Sequence, residues 1–295
     1  MRMDPHRGRA AGGRGRGLGG GFRILVVLAF LAYGGCYYLS NRTQDPYTGE
    51  TVLIDSSIGP EQERALGLQA YEQILEQEPP LPRSDPAAQQ VERIAARLID
   101  KVDEVTAEIA AAHGMEAPTH WKQFEWEVNV IPSDQANAFC LPGGKMAVYT
   151  GLFPVAQSED AMAVVMGHEI AHALLRHGAQ RMSQQKLAQI GQMAGAAGGL
   201  DPQQQQMVMA AMGYGYLLPY ARTHETQADE VGLMLAAAAC YDPNAAIGLW
   251  ERMSASGGDA PPEFASTHPN PGTRIQTLQS LMPRAMEYRE KYCRQ

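Results

Sequence analysis

His168, Glu169 and His172 stand in H-E-x-x-H spacing within a run of otherwise apolar and small residues, and no other feature limits the fold of this chain so strongly. Residues four apart lie one above the other on a helix. Both imidazoles can therefore reach one metal ion while the glutamate beside the first addresses the ion's open position, the arrangement of a zinc hydrolase. Ser158 is the expected N-cap with Glu159 and Asp160 in the first turn, and Ala161, Val164, Val165, His168, His172 and Leu175 follow one face. Met166, Ile170 and Ala173 carry apolar surface to other sides, so this helix is expected to be buried nearly all round. Imidazoles in such a place cost desolvation free energy unless they are bonded or ligated. Three fixed residues also occur by chance, and the competing reading is two histidines packed in a helix beside a solvated glutamate.

A catalytic zinc takes three protein ligands and a water, so a third ligand is required. The long form H-E-x-x-H-x-x-G-x-x-H fails, because Leu175 stands at its glycine position and Gly178 at its last histidine position, with His177 one residue early. The segment from Arg222 to Glu230 offers the other solution, a glutamate from a second helix. Glu225 and Asp229, four apart, share a helical face; Glu225 can bind the metal while Asp229 accepts the N–H of a ligating histidine. Gly232, one turn on, is expected to let the two helices approach closely.

H-E-I-A-H followed by H-E-T-Q-A-D resembles the M48 group of gluzincin metallopeptidases, particularly its membrane-anchored bacterial members and their mitochondrial Oma1-like relatives. Two further segments are similar to the family's motifs: Asn137 to Lys145 running on to Thr150-Gly151-Leu152, and Ser266-Thr267-His268-Pro269 with Arg274-Ile275. The resemblance covers roughly residues 45 to 290; Cys140 within the strand motif and Asn270-Pro271-Gly272 after the T-H-P element depart from it.

That resemblance implies a predominantly helical α+β fold, a zincin-like metallopeptidase domain with a small antiparallel sheet, holding one Zn2+ on His168, His172 and Glu225 with Asp229 behind the ligands. It implies Glu169 as general base towards the metal's water and His268 as a hydrogen-bond donor to the oxyanion. Taken alone, Thr267-His268-Pro269 reads more readily as an ordinary turn. Arg274 is expected to hold a carboxylate in place. The resemblance further implies that Asn137 and Ala138 lie on a sheet edge beside the metal, where an extended substrate adds as a strand.

Phe124, Trp126, Val128 and Val130 alternate with Glu125, Glu127 and Asn129, the period of a half-buried antiparallel strand, and a second strand is expected after the Ser133-Asp134 turn. An ordinary hairpin around Pro142-Gly143-Gly144 explains the same residues. Helices are expected at about 60–77, 86–112, 158–178, 180–196, 202–217, 222–239, 243–255 and 272–291, with the hairpin between 122 and 151. The Met-, Gln- and Gly-rich stretch from Leu187 to Leu218 is either packed core or a cover over the cleft, and core is expected.

Residues 1–23 carry six arginines and one acid, Asp4, in a Gly-rich tail expected to be disordered. The uncharged run 24–41 spans about 27 Å as a helix, close to a bilayer core of about 30 Å. It is read as one membrane anchor, followed by a linker over 42–59 and the metallopeptidase domain over 60–295. The arginines place the tail in the cytoplasm and the domain across the membrane, in the periplasm of a bacterial inner membrane. A lipoprotein anchored through Cys36 in Tyr33-Gly34-Gly35-Cys36 is the alternative. Nucleic acid is excluded as a partner, because removing the tail's +5 from the net −8 leaves the rest at −13.

Of four cysteines, Cys240 and Cys293 are the pair expected to meet in an oxidising compartment, and no C-x-x-C pair offers a thiolate metal site. Two functions follow. One is a membrane-anchored zinc endopeptidase acting on unfolded or membrane-associated proteins; the other is a non-catalytic anchored chaperone or scaffold. Glu169 discriminates, since a scaffold gains nothing from a buried base beside the metal. The single long apolar segment disfavours a multi-span peptidase.

Overall fold

The computed structural model describes residues 20–213, 217–255, 264, 268 and 273–293. The arginine tail over 1–19, Ser266, Thr267, Pro269 and Asn270-Pro271-Gly272 lie outside them. The fold is largely helical with two small sheets, as the α+β reading requires. An N-terminal helix α1 (Gly20–Ser40) leads into a two-stranded antiparallel ribbon, β1 (Arg42–Gln44) and β2 (Thr51–Leu53). The segment expected to be a linker is thus ordered, with Asp45 Oδ1 accepting from the Tyr47 and Thr48 amides in the turn.

Helix α2 (Pro60–Gln77) has the expected bounds, whereas the single helix expected at 86–112 is two, α3 (Pro86–Asp100) and α4 (Val102–Ala112). The chain bends at Lys101, whose φ of −98° and ψ of 0° leave the helical ladder. Val91, Ile94, Leu98, Val102, Val105 and Ile109 from this pair are fully buried.

The main sheet is mixed rather than wholly antiparallel. Its strands β3 (Glu127–Ile131), β4 (Ala138–Leu141) and β5 (Lys145–Tyr149) take the order β3-β5-β4, with β3 and β5 parallel and β4 and β5 antiparallel. The hairpin sits at Pro142-Gly143-Gly144, where φ of +90° and +83° at the glycines suits residues without a Cβ. The residues 132–137 carry the chain past the place that β5 later fills, so the returning strand runs parallel to β3. Phe124 and Trp126 precede the strand; the Trp126 ring lies where a Cβ on Gly144 would be, 2.8 Å away.

After a short helix α5 (Phe153–Ala156), α6 (Glu159–Leu174) forms the centre of the domain. Ser158 caps it, its hydroxyl accepting from the Ala161 amide at 3.1 Å, and every residue from Ala161 to Leu174 is buried. Helix α9 (Leu218–Ala238) crosses it at two glycines. A Cβ on Gly167 would lie 2.7 Å from the Gly232 carbonyl, and one on Gly232 would lie 2.6 Å from the His168 nitrogen. The expected close approach is therefore present, and both glycines serve it. Helices α10 (Ala245–Ala255) and α11 (Arg274–Cys293) complete the shell of helices around α6 and α9.

The helix expected through residue 178 ends at Leu174, and Arg176, whose φ of +55° is left-handed, turns the chain into α7 (His177–Gly198). A non-glycine residue in that region costs on the order of 1–3 kcal/mol, so the turn must be held. Arg176 is paired with buried Glu63 of α2. Helix α8 (Pro202–Met212) follows, and among its residues none is buried; the stretch expected as core instead packs α7 against α1, outside the domain.

Cys240 and Cys293 form a disulfide that closes a separation of 53 residues and ties the end of α11 to the end of α9. In the chain-entropy account such a loop stabilises by about 4 kcal/mol. Reduction should lower the melting temperature of the full chain in detergent by several degrees or more. An unchanged melt would mean that helix packing alone fixes α11.

Candidate active site

Four buried side chains meet above the crossing of α6 and α9: His168 and His172 from α6, Glu225 from α9, and His268. Their ligand atoms lie within 4.8 Å of one another. The two Nε2 atoms are 3.0 Å apart, and Glu225 Oε2 and Oε1 are 3.3 and 3.5 Å from His168 and His172. The third-ligand expectation thus brings the two helices' residues to one point.

The hydrogen-bond network assigns the tautomers. His168 Nδ1–H donates to Asp229 Oδ1 at 2.9 Å, leaving a lone pair on Nε2. Asp229 is itself held by Arg274 Nη2 at 2.5 Å, and Arg274 Nη1 reaches Glu225 at 3.3 Å while its guanidinium lies 3.6 Å from the Trp250 ring centre. The second histidine is fixed by a longer path. Gln227 Nε2 donates to Glu50 at 3.1 Å, so its Oε1 accepts from His177 Nε2–H at 3.1 Å; His177 Nδ1 then accepts from His172 Nδ1–H at 2.8 Å. Burial depresses the pKa of His172 and of His177, which keeps both rings neutral as this path requires.

Two imidazole Nε2 atoms and a carboxylate therefore face one point. Burial opposes a positive charge on His168, but hydrogen bonds to Asp229 and Glu225 outweigh it and hold its pKa at about 9, so without a metal ion its Nε2 carries a proton towards Glu225 that a bound cation would displace. Burial likewise works against the Glu225 carboxylate, and hydrogen bonds from His168 and His268 outweigh it and bring its pKa far below the usual range. The centre attracts positive charge, and its two nitrogens and one carboxylate are the donor set of a tetrahedral zinc site. These residues fit the metal.

Glu169 is 3% exposed, and among the described residues its Oε1 has no hydrogen-bond partner. Burial raises its pKa. A buried carboxylate beside the candidate ligands can receive a proton. His268 bridges the centre, with Nδ1 at 3.0 and 3.1 Å from the Glu225 oxygens and Nε2 at 3.4 Å from Glu169 Oε1.

A cleft of about 200 Å3 opens beside Glu169 and His172. One wall is β4, an edge of the sheet, through Phe139, Cys140 and Leu141; Gly178 and Arg181 of α7 form another. Ala138 begins β4 and is buried, while Asn137 just before it accepts from the Ala138 amide through Oδ1 and from the Tyr149 amide through its carbonyl. Ala138 thus opens the edge strand and Asn137 precedes it, and Phe139 to Leu141 are the part of the strand facing the cleft. The sequence motifs exclude His177 as a ligand and assign it no second role. Its five-residue spacing from His172 is the available signal, but only the left-handed turn at Arg176 makes that spacing a contact.

The profile of peptidase family M48 matches residues 96–282. The chain belongs to peptidase family M48. It is 34% identical over 267 residues to the mitochondrial metalloendopeptidase OMA1 of Schizosaccharomyces pombe, covering 89% of this chain and 73% of the relative. With the human metalloendopeptidase OMA1 the identity is 30% over 268 residues, 86% of this chain and 48% of that protein. The β-barrel assembly-enhancing protease of Escherichia coli is 27% identical over 177 residues, 57% of this chain and 35% of that one. This M48 peptidase is accordingly a metalloendopeptidase, and the scaffold reading falls.

Proposed function

We propose that this M48 metalloendopeptidase is a zinc enzyme, anchored in a membrane through α1, that cleaves unfolded or misassembled polypeptides in protein quality control. The observation that carries the reading is the convergence of two imidazole Nε2 atoms and Glu225 beside the buried carboxylate of Glu169. The relatives' names, a metalloendopeptidase and a protease that enhances β-barrel assembly, support polypeptide substrates of this kind.

His168, His172 and Glu225 would hold the zinc, which when bound would supply a water of lowered pKa and polarise the scissile carbonyl. Glu169 takes the attacking water's proton at Oε1 and delivers it to the leaving nitrogen. Asp229 and His177 orient the two ligating rings through their Nδ1 atoms. His268 donates to the oxygen of the attacked carbonyl, where negative charge develops. An extended substrate lies along β4, from Asn137 and Ala138 onward, as an added strand. Such binding addresses the main chain, which suits exposed or unfolded segments.

Helix α1 is apolar, long enough over Gly21–Ser40 to cross a bilayer and for the most part not buried against the rest of the chain, which supports the anchor. With the arginine tail on the cytoplasmic side, the domain faces the periplasm of a bacterial inner membrane. Cys36 lies within α1, and the anchor does not require its lipidation.

The test is metal binding coupled to cleavage. Full-length protein should lose casein cleavage on chelation and regain it with zinc, and Glu225→Ala should bind zinc at least about tenfold more weakly in chelator competition. Unchanged affinity would remove Glu225 from the site.

A further inference from the structure

Helix α7 leaves the catalytic domain and runs antiparallel along α1 for most of that helix. At one end the Tyr37 hydroxyl reaches Asp55 Oδ2 at 3.2 Å and the Ser183 carbonyl at 3.4 Å, with Lys186 Nζ 5.0 Å from the Tyr37 ring centre. Further along, Cβ atoms added at Gly34 and Gly198 would lie 3.3 Å from Ile190 and from Val27. At the far end, Gly199 sits against the Arg23 guanidinium, 3.1 Å from an added Cβ. From Tyr37 to Arg23 is a rise of about 21 Å along α1, and α7 keeps pace with it.

Helix α8 then turns back on α7, with Leu200 against Gly195 and Met212 against Gly191. Between Lys186 and Arg222 the only charged residue is Asp201, which caps α8 at the turn. Met193, Met207 and Val208 are 48%, 61% and 42% exposed. Such a hairpin has no reason to be uncharged in water, and a helix with no buried residue has little to hold it there.

We propose that the α7–α8 hairpin is a second membrane-inserted element, entering the bilayer from the side of the metal site, turning near Asp201 and returning. The inference rests on the reading of α1 as an anchor: if α1 crosses the bilayer, a hairpin packed from Tyr37 to Arg23 lies within the same hydrocarbon. Acyl chains cover Met193, Met207 and Val208. The exposed amides of Gln185, Gln189 and Gln192 line the opposite face of α7 from Leu187 and Ile190, in line with Gly178 and Arg181 at the cleft. An unbonded amide in hydrocarbon is costly, so this face meets water or polypeptide. Lys186 and Asp55, paired at 2.5 Å level with Tyr37, mark the headgroup plane.

The experiment uses full-length protein in phosphatidylcholine–phosphatidylglycerol vesicles, with Cys36→Ser and Cys140→Ser as background and retention of the wild-type melt as the folding control. Single probes at Leu28→Cys, Met193→Cys, Met207→Cys and Glu72→Cys are read for quenching by nitroxide-labelled lipid and for reaction with a membrane-impermeant maleimide. Probes at 28, 193 and 207 should be quenched several-fold more than the probe at 72 and resist the maleimide. Quenching at 28 with maleimide reaction at 193 and 207 overturns the inserted hairpin while the anchor stands. Protection at 193 and 207 from both reagents means that protein covers them, and also overturns it. Absence of quenching at 28 refutes the anchor and the hairpin with it.

Discussion

Glu169→Gln should lower cleavage of casein or another unfolded protein by about 10^2- to 10^4-fold, with zinc content and melting temperature close to those of the unmodified chain. The amide has nearly the shape of the carboxylate but cannot accept the water's proton. Among the described residues Oε1 of Glu169 makes no hydrogen bond, and its titratable neighbour there, His268 Nε2 at 3.4 Å, can face the amide oxygen instead. Burial already disfavours that charge, so the substitution is expected to be neutral or slightly favourable for folding. Steady-state cleavage, metal content and a thermal melt on one preparation separate these effects. Retention of cleavage would move the base elsewhere, and loss of zinc would make Glu169 part of the metal's support.

The candidate metal site is legible in the sequence where helical spacing decides the geometry. Ser158 capping α6, the i,i+4 histidines, Glu225 with Asp229 and the facing Gly232 are all local patterns, and each maps to a contact in the folded chain. What is not legible depends on joining distant segments. Nothing in the alternation of residues 124–130 tells whether β3 pairs parallel or antiparallel, because side-chain period is the same in both. The role of His177 depends on one left-handed residue, Arg176, and on Gln227 and Glu50, which come from α9 and the β1–β2 turn. The apolar stretch after Leu187 reads as core because apolar composition does not distinguish a domain interior from a surface laid against α1. Its lack of charge is visible in the sequence; its neighbour is not.

His268→Ala should lower kcat and kcat/KM together by about a hundredfold while KM and zinc content remain nearly constant, the signature of an interaction made only in the transition state. The geometry makes this a sharp question, since Nδ1 of His268 sits 3.0 Å from Glu225 while Nε2 faces Glu169 at 3.4 Å. A ring in that place can serve the oxyanion only if its bond to Glu225 yields to the substrate's oxygen or if Nε2 alone does the donating. Direct ligation predicts a different result: zinc affinity falls with the ring removed. A role confined to substrate binding predicts a raised KM at constant kcat. His268→Gln sharpens the comparison, because an amide can donate to an oxyanion but is a poor zinc ligand. Partial recovery of kcat in that variant, with zinc affinity unchanged in both, would fix His268 as the oxyanion donor; weaker zinc binding in both would make it a ligand and assign the oxyanion to another group.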